Sequence, residues 1–254
     1  MEKISLRVAA VSYTNTIPFI YGLQHYPASK VAHELMLLPP AQCAEAYYAG
    51  KTDMALVPVG AIRDMHEALI CCNWCLGATG AVETVLLLSN NPLEELDTIY
   101  LDAESRTSNL LVQVLARHHW QVEPQFVKPN EVATPHHLPE AAGMVLIGDK
   151  TFGIKSRFRY SYDLAEVWHR FTGLPFVFAC WLAADGVTPE QRKHFDEALA
   201  WGVQHVDDAI ATLHNGVLPY EQVRQYLTES ISFHFDESKR EAITRFRAYC
   251  DTLP

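Results

Sequence analysis

The sequence is short of positive charge and lacks the signatures of several common function classes. Its 20 Lys and Arg residues are outnumbered by 30 Asp and Glu, which gives a formal net charge of −10. Nucleic acid and anionic membranes both bind through clustered basic residues, so neither is expected as a partner. No apolar run approaches the ~18 residues that a membrane span needs. A glycine-rich phosphate loop, a dinucleotide fingerprint and a Ser–His–Asp signature are also missing, so nucleotide binding and serine hydrolysis are not indicated.

The cysteines do not form the pattern of a metal site or a disulfide framework. Among the six cysteines, Cys72 and Cys75 have the CxxC spacing of zinc and redox sites. No second CxxC and no HxxxH completes a tetrahedral set, so we expect no metal and interpret the cysteines as small buried thiols in a reducing compartment. Met1 is followed almost at once by an apolar strand, which leaves no room for a secretory leader. We therefore expect a cytoplasmic protein.

Apolar runs alternate with helical patterns over much of the chain. The first series has predicted strands at 8–11, 33–38 and 53–57, with helices between them. This β-α-β-α-β order is typical of a parallel sheet with helices on its faces. A second series begins with a strand at 98–101 and a helix over 109–119. We therefore predict an α/β protein of two lobes, 1–90 with 185–254 and 91–184, and a ligand cleft between them.

The remaining segments complete these two series. Further strands are predicted at 70–76, 82–88, 122–127, 141–147 and 175–184. Further helices are predicted over 61–69, from a capping box at Thr188 to about residue 213, and from Pro219 and Asp236 onward. Residues 128–139, rich in Pro, His and Thr, are expected to form a loop.

The first turn between a strand and a helix carries hydroxyl and amide side chains. Ser12 follows the first strand, and Thr14, Asn15 and Thr16 are predicted to cap a helix that has Pro18 in its first turn. Free backbone N–H groups at such a helix start, together with the positive end of the helix dipole, favour a bound carboxylate or phosphate. The sequence therefore predicts an anion site at this turn.

The second turn repeats this arrangement with added positive charge. Ser105, Arg106 and Thr107 lie between the strand that ends at Leu101 and the helix that follows. A guanidinium such as that of Arg106 can bind a carboxylate through two parallel hydrogen bonds. Two such turns facing each other would suit a small dianion, so we expect a small anionic ligand.

Each of these features also has an ordinary structural explanation. Ser, Thr and Asn at the start of a helix are mostly caps, and Arg106 is equally consistent with a solvated surface charge. His118 and His119 are expected to stabilise the end of a helix. The aromatic residues between 160 and 181 are expected to pack in the core, with a ring-binding pocket as the alternative.

Longer segments of the sequence resemble one known family. The opening turn, SYTNTIPFIYGL, is similar to the S-Y-L-N-x-x-P-L signature of the chorismate dehydratase family, which acts in the futalosine route to menaquinone. The resemblance covers most of residues 5–184 and includes AGKTDMALVPV (49–59), GAVETVLLLS (80–89), LDAESRTSNLL (101–111), AAGMVLIGDK (141–150) and YDLAEVWHRFTGLPFVFACW (162–181). Thr14, Phe19 and Ala81 depart from the usual residues of the family at packing positions. Thr84 replaces a frequent serine but retains the hydroxyl.

The resemblance implies a periplasmic-binding-protein-like fold of type 2, used as an enzyme. The implied enzyme is a hydro-lyase that removes water from chorismate to give 3-[(1-carboxyvinyl)oxy]benzoate, a redox-neutral elimination that needs no metal or organic cofactor. Chorismate carries two carboxylates, in agreement with two anion sites. Asn15 matches the active-site asparagine of the family. Our hypothesis is that Asn15 orients the substrate so that its enolpyruvyl carboxylate accepts the proton, while Ser12 or Thr84 assists departure of the hydroxyl.

Two other functions stay open at this point. The related 1,4-dihydroxy-6-naphthoate synthase of the same pathway shares the fold, although its opening turn does not usually read SYxN. A non-catalytic carboxylate-binding or sensing module would close on its ligand without changing it. Turnover of chorismate distinguishes the dehydratase from such a module.

Overall fold

The computed structural model describes residues 6–27, 32–62, 70–128, 134–214, 216 and 218–254. The chain divides into two α/β units, each made of two segments. The first unit contains Met1–Gly77 and Val177–Asp236, and the second contains Ala78–Phe176 and Glu237–Pro254. The predicted α/β class is confirmed, whereas the lobe limits derived from the sequence stay a prediction.

The described residues form eleven strands and eight α-helices. The strands are β1 (Leu6–Val11), β2 (Ala32–Leu38), β3 (Met54–Pro58), β4 (Ile70–Ala78), β5 (Val85–Ser89), β6 (Thr98–Tyr100), β7 (Gln125–Val127), β8 (Ala142–Ile147), β9 (Tyr160–Asp163), β10 (Phe176–Ala183) and β11 (Ser232–His234). The helices are α1 (Ile17–His25), α2 (Pro40–Tyr48), α3 (Thr107–Leu115), α4 (Leu164–Thr172), α5 (Pro189–Gln204), α6 (Val206–Leu213), α7 (Tyr220–Gln225) and α8 (Glu237–Cys250). None of the helices in the described ranges is long and apolar enough to cross a membrane.

The first unit is built around a six-stranded sheet in the order β11-β4-β10-β3-β1-β2. β1 pairs in parallel with both β2 and β3, and β10 pairs antiparallel with β3. Every residue of β3 is buried, as expected for a central strand covered on both faces. Because parallel strands end at the same edge of a sheet, the carboxyl ends of β1, β2 and β3 lie together. Helices α1 and α2 begin at this edge.

Helices α1 and α5 pack through their backbones. A Cβ atom added to Gly22 would lie 2.1 Å from the carbonyl oxygen of Ala198, and one added to Gly202 would lie 2.0 Å from that of Pro18. A side chain at either position would therefore force the two helices apart. The contact fixes the position of α1, and with it the preceding turn that carries Asn15.

The second unit is built around a five-stranded sheet in the order β7-β6-β8-β5-β9. β6 pairs in parallel with β7 and β8, whereas β5 pairs antiparallel with β8 and β9. Val85, the first residue of β5, is opposite Ile147, the last residue of β8. The amino end of β5 therefore lies at the same edge as the carboxyl ends of β6 and β8.

The C-terminal helix α8 packs in the second unit through aromatic side chains. The ring centroid of Phe246 lies 5.1 Å from that of Phe176 and 5.9 Å from that of Trp168. Tyr249 lies 5.4 Å from Phe171. Trp168 and Phe176 are almost fully buried, so the expected core packing of these two aromatic residues is confirmed.

The structure differs from the secondary-structure prediction at several places, among them the unpredicted strand β11. No element is predicted for 155–171, where the structure has β9 and most of α4. β9 is a short edge strand whose sequence, YSYD, carries a weak strand signal. The predicted long helix from Thr188 is broken at His205, whose φ and ψ of −114° and 42° leave the helical region. The predicted helix over 61–69 lies mostly outside the described residues.

Candidate functional site

The turn between β1 and α1 is closed by backbone and hydroxyl hydrogen bonds. Ser12 N donates to the Leu38 carbonyl oxygen at 3.0 Å, which continues the pairing of β1 with β2. The Thr16 hydroxyl oxygen lies 2.5 Å from the Val11 carbonyl oxygen and 2.7 Å from that of Tyr13. Thr16 occupies the N-cap of α1 but makes no capping hydrogen bond with its side chain. The predicted capping role of Thr16 is therefore wrong, because its hydroxyl stabilises the turn instead.

Asn15 lies in this turn with its side-chain oxygen buried. The Oδ1 atom has no hydrogen-bond partner among the described residues, so Asn15 does not cap α1 through this oxygen. A buried acceptor left unpaired costs about 1–3 kcal/mol, and such groups are concentrated at functional sites. Ser12 is exposed in the same turn, and Pro18 falls in the first turn of α1 as predicted. Other buried polar atoms of the first unit are also unpaired within the described ranges, but Asn15 lies in the turn at the carboxyl end of β1, which makes it the leading ligand-binding candidate of this unit.

The turn before α3 is organised by Ser105 and Asn109. Ser105 Oγ accepts a hydrogen bond from Ser108 N at 3.0 Å and so caps the helix. Asn109 Nδ2 donates to two carbonyl oxygens of the turn at 2.8 and 2.9 Å. Ser105 and Thr107 are buried, whereas Arg106 between them is exposed. The turn is thus held by its own hydrogen bonds, and Arg106 is the one of its three predicted site residues that reaches the surface.

A buried carboxylate joins this turn to the end of β8. Asp102 Oδ1 accepts a hydrogen bond from Glu104 N at 2.9 Å, and Asp102 Oδ2 accepts one from Ile147 N at 3.1 Å. Lys150 Nζ lies 2.8 Å from Asp102 Oδ2 and 2.5 Å from Glu104 Oε2. Burial lowers the pKa of Lys150, but the two carboxylates outweigh this effect and the pKa is raised. Both oxygens of Asp102 are therefore occupied by donors of the second unit.

Thr84 lies at the same edge of the sheet. Its carbonyl oxygen accepts a hydrogen bond from Gly148 N, the first residue after β8, at 2.9 Å. Its side chain is buried, with Oγ1 3.5 Å from the Val82 carbonyl oxygen. The turn that contains Ser105 follows β6, and β6 is the neighbour of β8 in the sheet. The structure therefore places Thr84 and this turn at one edge of the second unit.

The predicted site residues fall into two groups. Ser12 and Asn15 belong to the first unit, and Thr84, Ser105, Arg106 and Thr107 belong to the second. Apart from Thr84, which precedes the antiparallel strand β5, each group lies where a parallel strand ends and a helix begins, an arrangement suited to binding an anion. That both groups bind one ligand is a proposal.

The described residues contain no group of three or more His, Cys, Asp or Glu side chains that could hold a metal ion. Cys72 and Cys75 lie in β4 and are buried, as expected for structural thiols. Burial raises the pKa of Cys72 well above its usual value. The thiol of Cys72 is therefore protonated and unreactive at neutral pH.

Two cavities of the second unit lie away from these residues. One, of about 480 Å³, is lined by the end of α3 and by the C terminus, including Arg117, Phe126 and Pro254. The other, of about 530 Å³, borders the starts of β6 and β7 at Thr98 and Gln125. Strands β6 and β7 begin at the edge opposite to their carboxyl ends, so neither cavity belongs to the candidate site.

Sequence reasoning missed the charged residues that support the site in the second unit. Asp102 and Glu104 lie in the segment LDAES, directly after a strand, and Lys150 lies in GDK after the next parallel strand. Polar residues after neighbouring parallel strands are a signal that could have found them. The carboxylate of Asp163 accepts hydrogen bonds from the backbone N–H groups of Val82 and Glu83, 81 and 80 residues away. No local sequence pattern reveals such a contact.

Solved structures with similar folds include binding proteins. A protein from Archaeoglobus fulgidus matches with a TM-score of 0.76 and 14% identity, over 99% of this chain and 98% of that chain. The alkanesulfonate-binding protein SsuA from Xanthomonas axonopodis pv. citri, bound to MOPS, matches with a TM-score of 0.64 and 14% identity, over 100% of this chain and 96% of that chain. The Candida albicans CA3427 gene product, which exhibits the generic periplasmic binding protein structural fold, matches with a TM-score of 0.60 and 14% identity, over 97% and 89%. The predicted periplasmic-binding-protein-like fold is therefore confirmed.

Sequence comparison extends the likeness from the fold to a family. The chain is 24% identical over 253 residues to a chorismate dehydratase from Campylobacter jejuni subsp. jejuni serotype O:23/36 (strain 81-176). The alignment covers 96% of each sequence. A family model described as menaquinone biosynthesis matches residues 6–252. Since this match spans nearly the whole chain, the protein belongs to the menaquinone biosynthesis family.

Proposed function

We propose that this protein is a chorismate dehydratase, a hydro-lyase that converts chorismate to 3-[(1-carboxyvinyl)oxy]benzoate and water. The observation that carries the proposal is the position of Asn15 in a turn similar to the SYxN signature, at the carboxyl end of β1, with a buried Oδ1 acceptor that has no hydrogen-bond partner among the described residues and so requires a donor. Family membership and the similarity to the Campylobacter jejuni enzyme over 96% of both sequences support it. The proposed setting is the futalosine route to menaquinone in the cytoplasm.

In this proposal, each of the two anion sites binds one carboxylate of the substrate. The Nδ2 group of Asn15 and the turn before α1 bind the enolpyruvyl carboxylate, and Arg106 with the start of α3 binds the ring carboxylate. Backbone N–H groups at a helix start and a guanidinium are both suited to carboxylates. Because these groups belong to different units, the proposal requires the cleft between lobes that the sequence predicts.

The chemistry is an elimination that yields an aromatic ring. The C–H bond at the ether-bearing carbon breaks, and its proton passes to the enolpyruvyl carboxylate of the substrate. The electron pair forms a ring double bond while the neighbouring C–O bond breaks, and the carboxylate passes the abstracted proton to the departing hydroxide, which leaves as water. Asn15 holds the carboxylate against the C–H bond by hydrogen bonding, and Thr84 or Ser12 donates a hydrogen bond to the departing oxygen. Aromatisation supplies the driving force.

The surroundings of Asp102 support a proton acceptor that comes from the substrate. Asp102 is buried at the edge of the second sheet, but Lys150 and two backbone N–H groups occupy its oxygens. Because these donors already occupy both of its oxygens, we assign Asp102 a structural role. The neutral amide of Asn15 is not a base either, which leaves the substrate's own carboxylate as the proposed acceptor.

Incubation with chorismate tests the proposal. We expect the ultraviolet spectrum of chorismate to be replaced by that of an aromatic product, with one water lost as judged by mass spectrometry. The second candidate is a carboxylate-binding module, which the fold shared with the alkanesulfonate-binding protein SsuA favours. Binding of chorismate by calorimetry without any spectral change would support the module. If the protein neither binds nor converts chorismate, chorismate is excluded as its substrate. The related 1,4-dihydroxy-6-naphthoate synthase activity would then be assayed.

A further inference from the structure

One carboxylate of the second unit binds four backbone N–H groups. Asp163 Oδ2 accepts hydrogen bonds from Val82 N at 2.9 Å and Glu83 N at 2.6 Å. Asp163 Oδ1 accepts hydrogen bonds from Ala165 N at 3.0 Å and Glu166 N at 3.1 Å. The residue is only 8% exposed. The carboxylate therefore joins the turn before β5 to the first turn of α4.

The turn bound by Oδ2 has an unusual backbone. Glu83 has a φ of 66°, in the left-handed region that side chains other than Asn and Asp rarely adopt. Such a conformation persists only where the surrounding structure holds it. The N–H groups of Glu83 and of the preceding Val82 are the two that Oδ2 binds, so Asp163 is placed to hold this conformation.

Thr84 follows directly on this turn. The conformation of Glu83 sets the direction of the next peptide, and with it the position of the Thr84 side chain. The Thr84 carbonyl oxygen is in turn bound by Gly148 N at 2.9 Å. Thr84 thus has one backbone anchor on β8 and a second, through its neighbours, on Asp163.

We propose that Asp163 is a positioning residue for the substrate site. Its Oδ2 atom fixes the left-handed turn at Glu83 and so holds Thr84 in the orientation that binds the substrate, while its Oδ1 atom separately caps α4. The inference rests on the proposed function, in which Thr84 contacts chorismate. A helix cap alone needs one oxygen, as at Thr188, whose hydroxyl accepts a hydrogen bond from Gln191 N at the start of α5.

Two substitutions separate these roles. Asp163→Asn keeps the size of the side chain but leaves one oxygen for four donors and turns an NH₂ group toward two of them. Asp163→Ser keeps a good cap for α4, but its single short hydroxyl cannot bridge both segments. We expect both variants to raise the KM for chorismate about tenfold, because Thr84 contacts the substrate hydroxyl already in the bound substrate, before the C–O bond breaks, and weakened positioning of such a group reduces affinity. Partial unfolding would instead lower the apparent kcat and leave KM unchanged.

The control and the rescue use residues of the same chain. Thr188→Ala removes a helix cap of the first unit and is expected to lower the melting temperature without changing KM. Glu83→Asn, added to Asp163→Asn, introduces a residue that adopts the left-handed region readily. We expect the KM of the double variant to be at least about threefold lower than that of Asp163→Asn, because the effects of two substitutions in one turn are not additive.

Hydrogen exchange gives a readout that does not depend on chorismate. We expect the amides of Val82 and Glu83 to exchange at least about tenfold faster in Asp163→Ser than in the native protein, with α5 unaffected. A KM within twofold of the native value in both folded variants, or unchanged exchange at these amides, would overturn the positioning role. If the native protein does not turn over chorismate, the proposed function fails, and the exchange rates alone decide whether Asp163 holds the turn.

Discussion

Lys150 Nζ lies 2.8 Å from Oδ2 of Asp102, whose side chain is 2% exposed whereas that of Lys150 is 40% exposed. The pair links the loop after β8 to the loop after β6. These two strands are parallel neighbours in the sheet. Because the carboxylate is buried, its charge needs the lysine, and the loops at the edge of the second sheet depend on the pair.

Removing the ammonium should therefore destabilise the second unit. Lys150→Met keeps much of the side-chain length but leaves Asp102 buried without its cation. We expect the free energy of unfolding to fall by about 1–2 kcal/mol at neutral pH. This is less than the cost of breaking a fully buried ion pair, because Lys150 is partly exposed and solvent screens the interaction. Urea denaturation measures this difference. Lys155→Met, at an exposed residue of the same unit, is the control and should change stability by less than about 0.5 kcal/mol.

The same pair predicts a pH dependence of stability. The pKa of Lys150 is raised above its ordinary value of 10.5, since the neighbouring carboxylates outweigh its burial. A raised folded-state pKa contributes stability that is fully present below the unfolded-state pKa and is lost as the pH rises through the folded-state pKa. The stability difference between the native protein and Lys150→Met should thus be constant from pH 7 to about 10 and shrink above that. A difference that stays constant to pH 12 would contradict the ion pair.

Gly22 is expected to tolerate no side chain. Gly22→Ala places a methyl group 2.1 Å from the Ala198 carbonyl oxygen, and neither backbone can move away without separating α1 from α5. We expect a loss of at least about 2 kcal/mol in the free energy of unfolding. Gly186→Ala is the matched control, because its Cβ would have nothing within 4 Å. Equal stability of the two variants would show that α1 and α5 are not in backbone contact.

Arg106 is expected to act in binding and not in the chemical step. Arg106→Ala should raise the KM for chorismate about tenfold or more and change kcat by less than about threefold, because a carboxylate far from the reacting carbons is held alike in ground and transition states. Arg170→Ala is the control, since Arg170 is an exposed arginine of the same unit that pairs with Glu166. An unchanged KM in Arg106→Ala would remove this residue from the site.

The sequence predicts well those features that depend on neighbouring residues. The strand before Ser12, the helix that includes Pro18 and the capping box at Thr188 are all signalled within a few positions, and the structure confirms each of them. The capping role of Thr16 is wrong because its hydroxyl has a competing acceptor, the Val11 carbonyl oxygen, five residues earlier. That alternative is not visible in a pattern of cap residues.

The features that the sequence does not predict depend on distant partners. The hydrogen bonds of Asp163 to the turn at Glu83 join residues 80 positions apart, and the pair formed by Asp102 and Lys150 joins residues 48 positions apart. The break at His205 interrupts a helical pattern that continues on both sides. The importance of Asn15 came from the resemblance, whereas the burial of its side-chain oxygen required the fold.

The most direct measurement of the central claim is the turnover of chorismate by the native protein and by Asn15→Ala, followed by ultraviolet absorbance with the product identified by mass spectrometry. We expect the native protein to form the aromatic enol ether, and Asn15→Ala to lose at least about a hundredfold in kcat, a larger factor than the accompanying rise in KM, since the amide both binds the carboxylate and orients it against the C–H bond. Equal kcat values for the two proteins, or no aromatic product from the native one, would contradict the account.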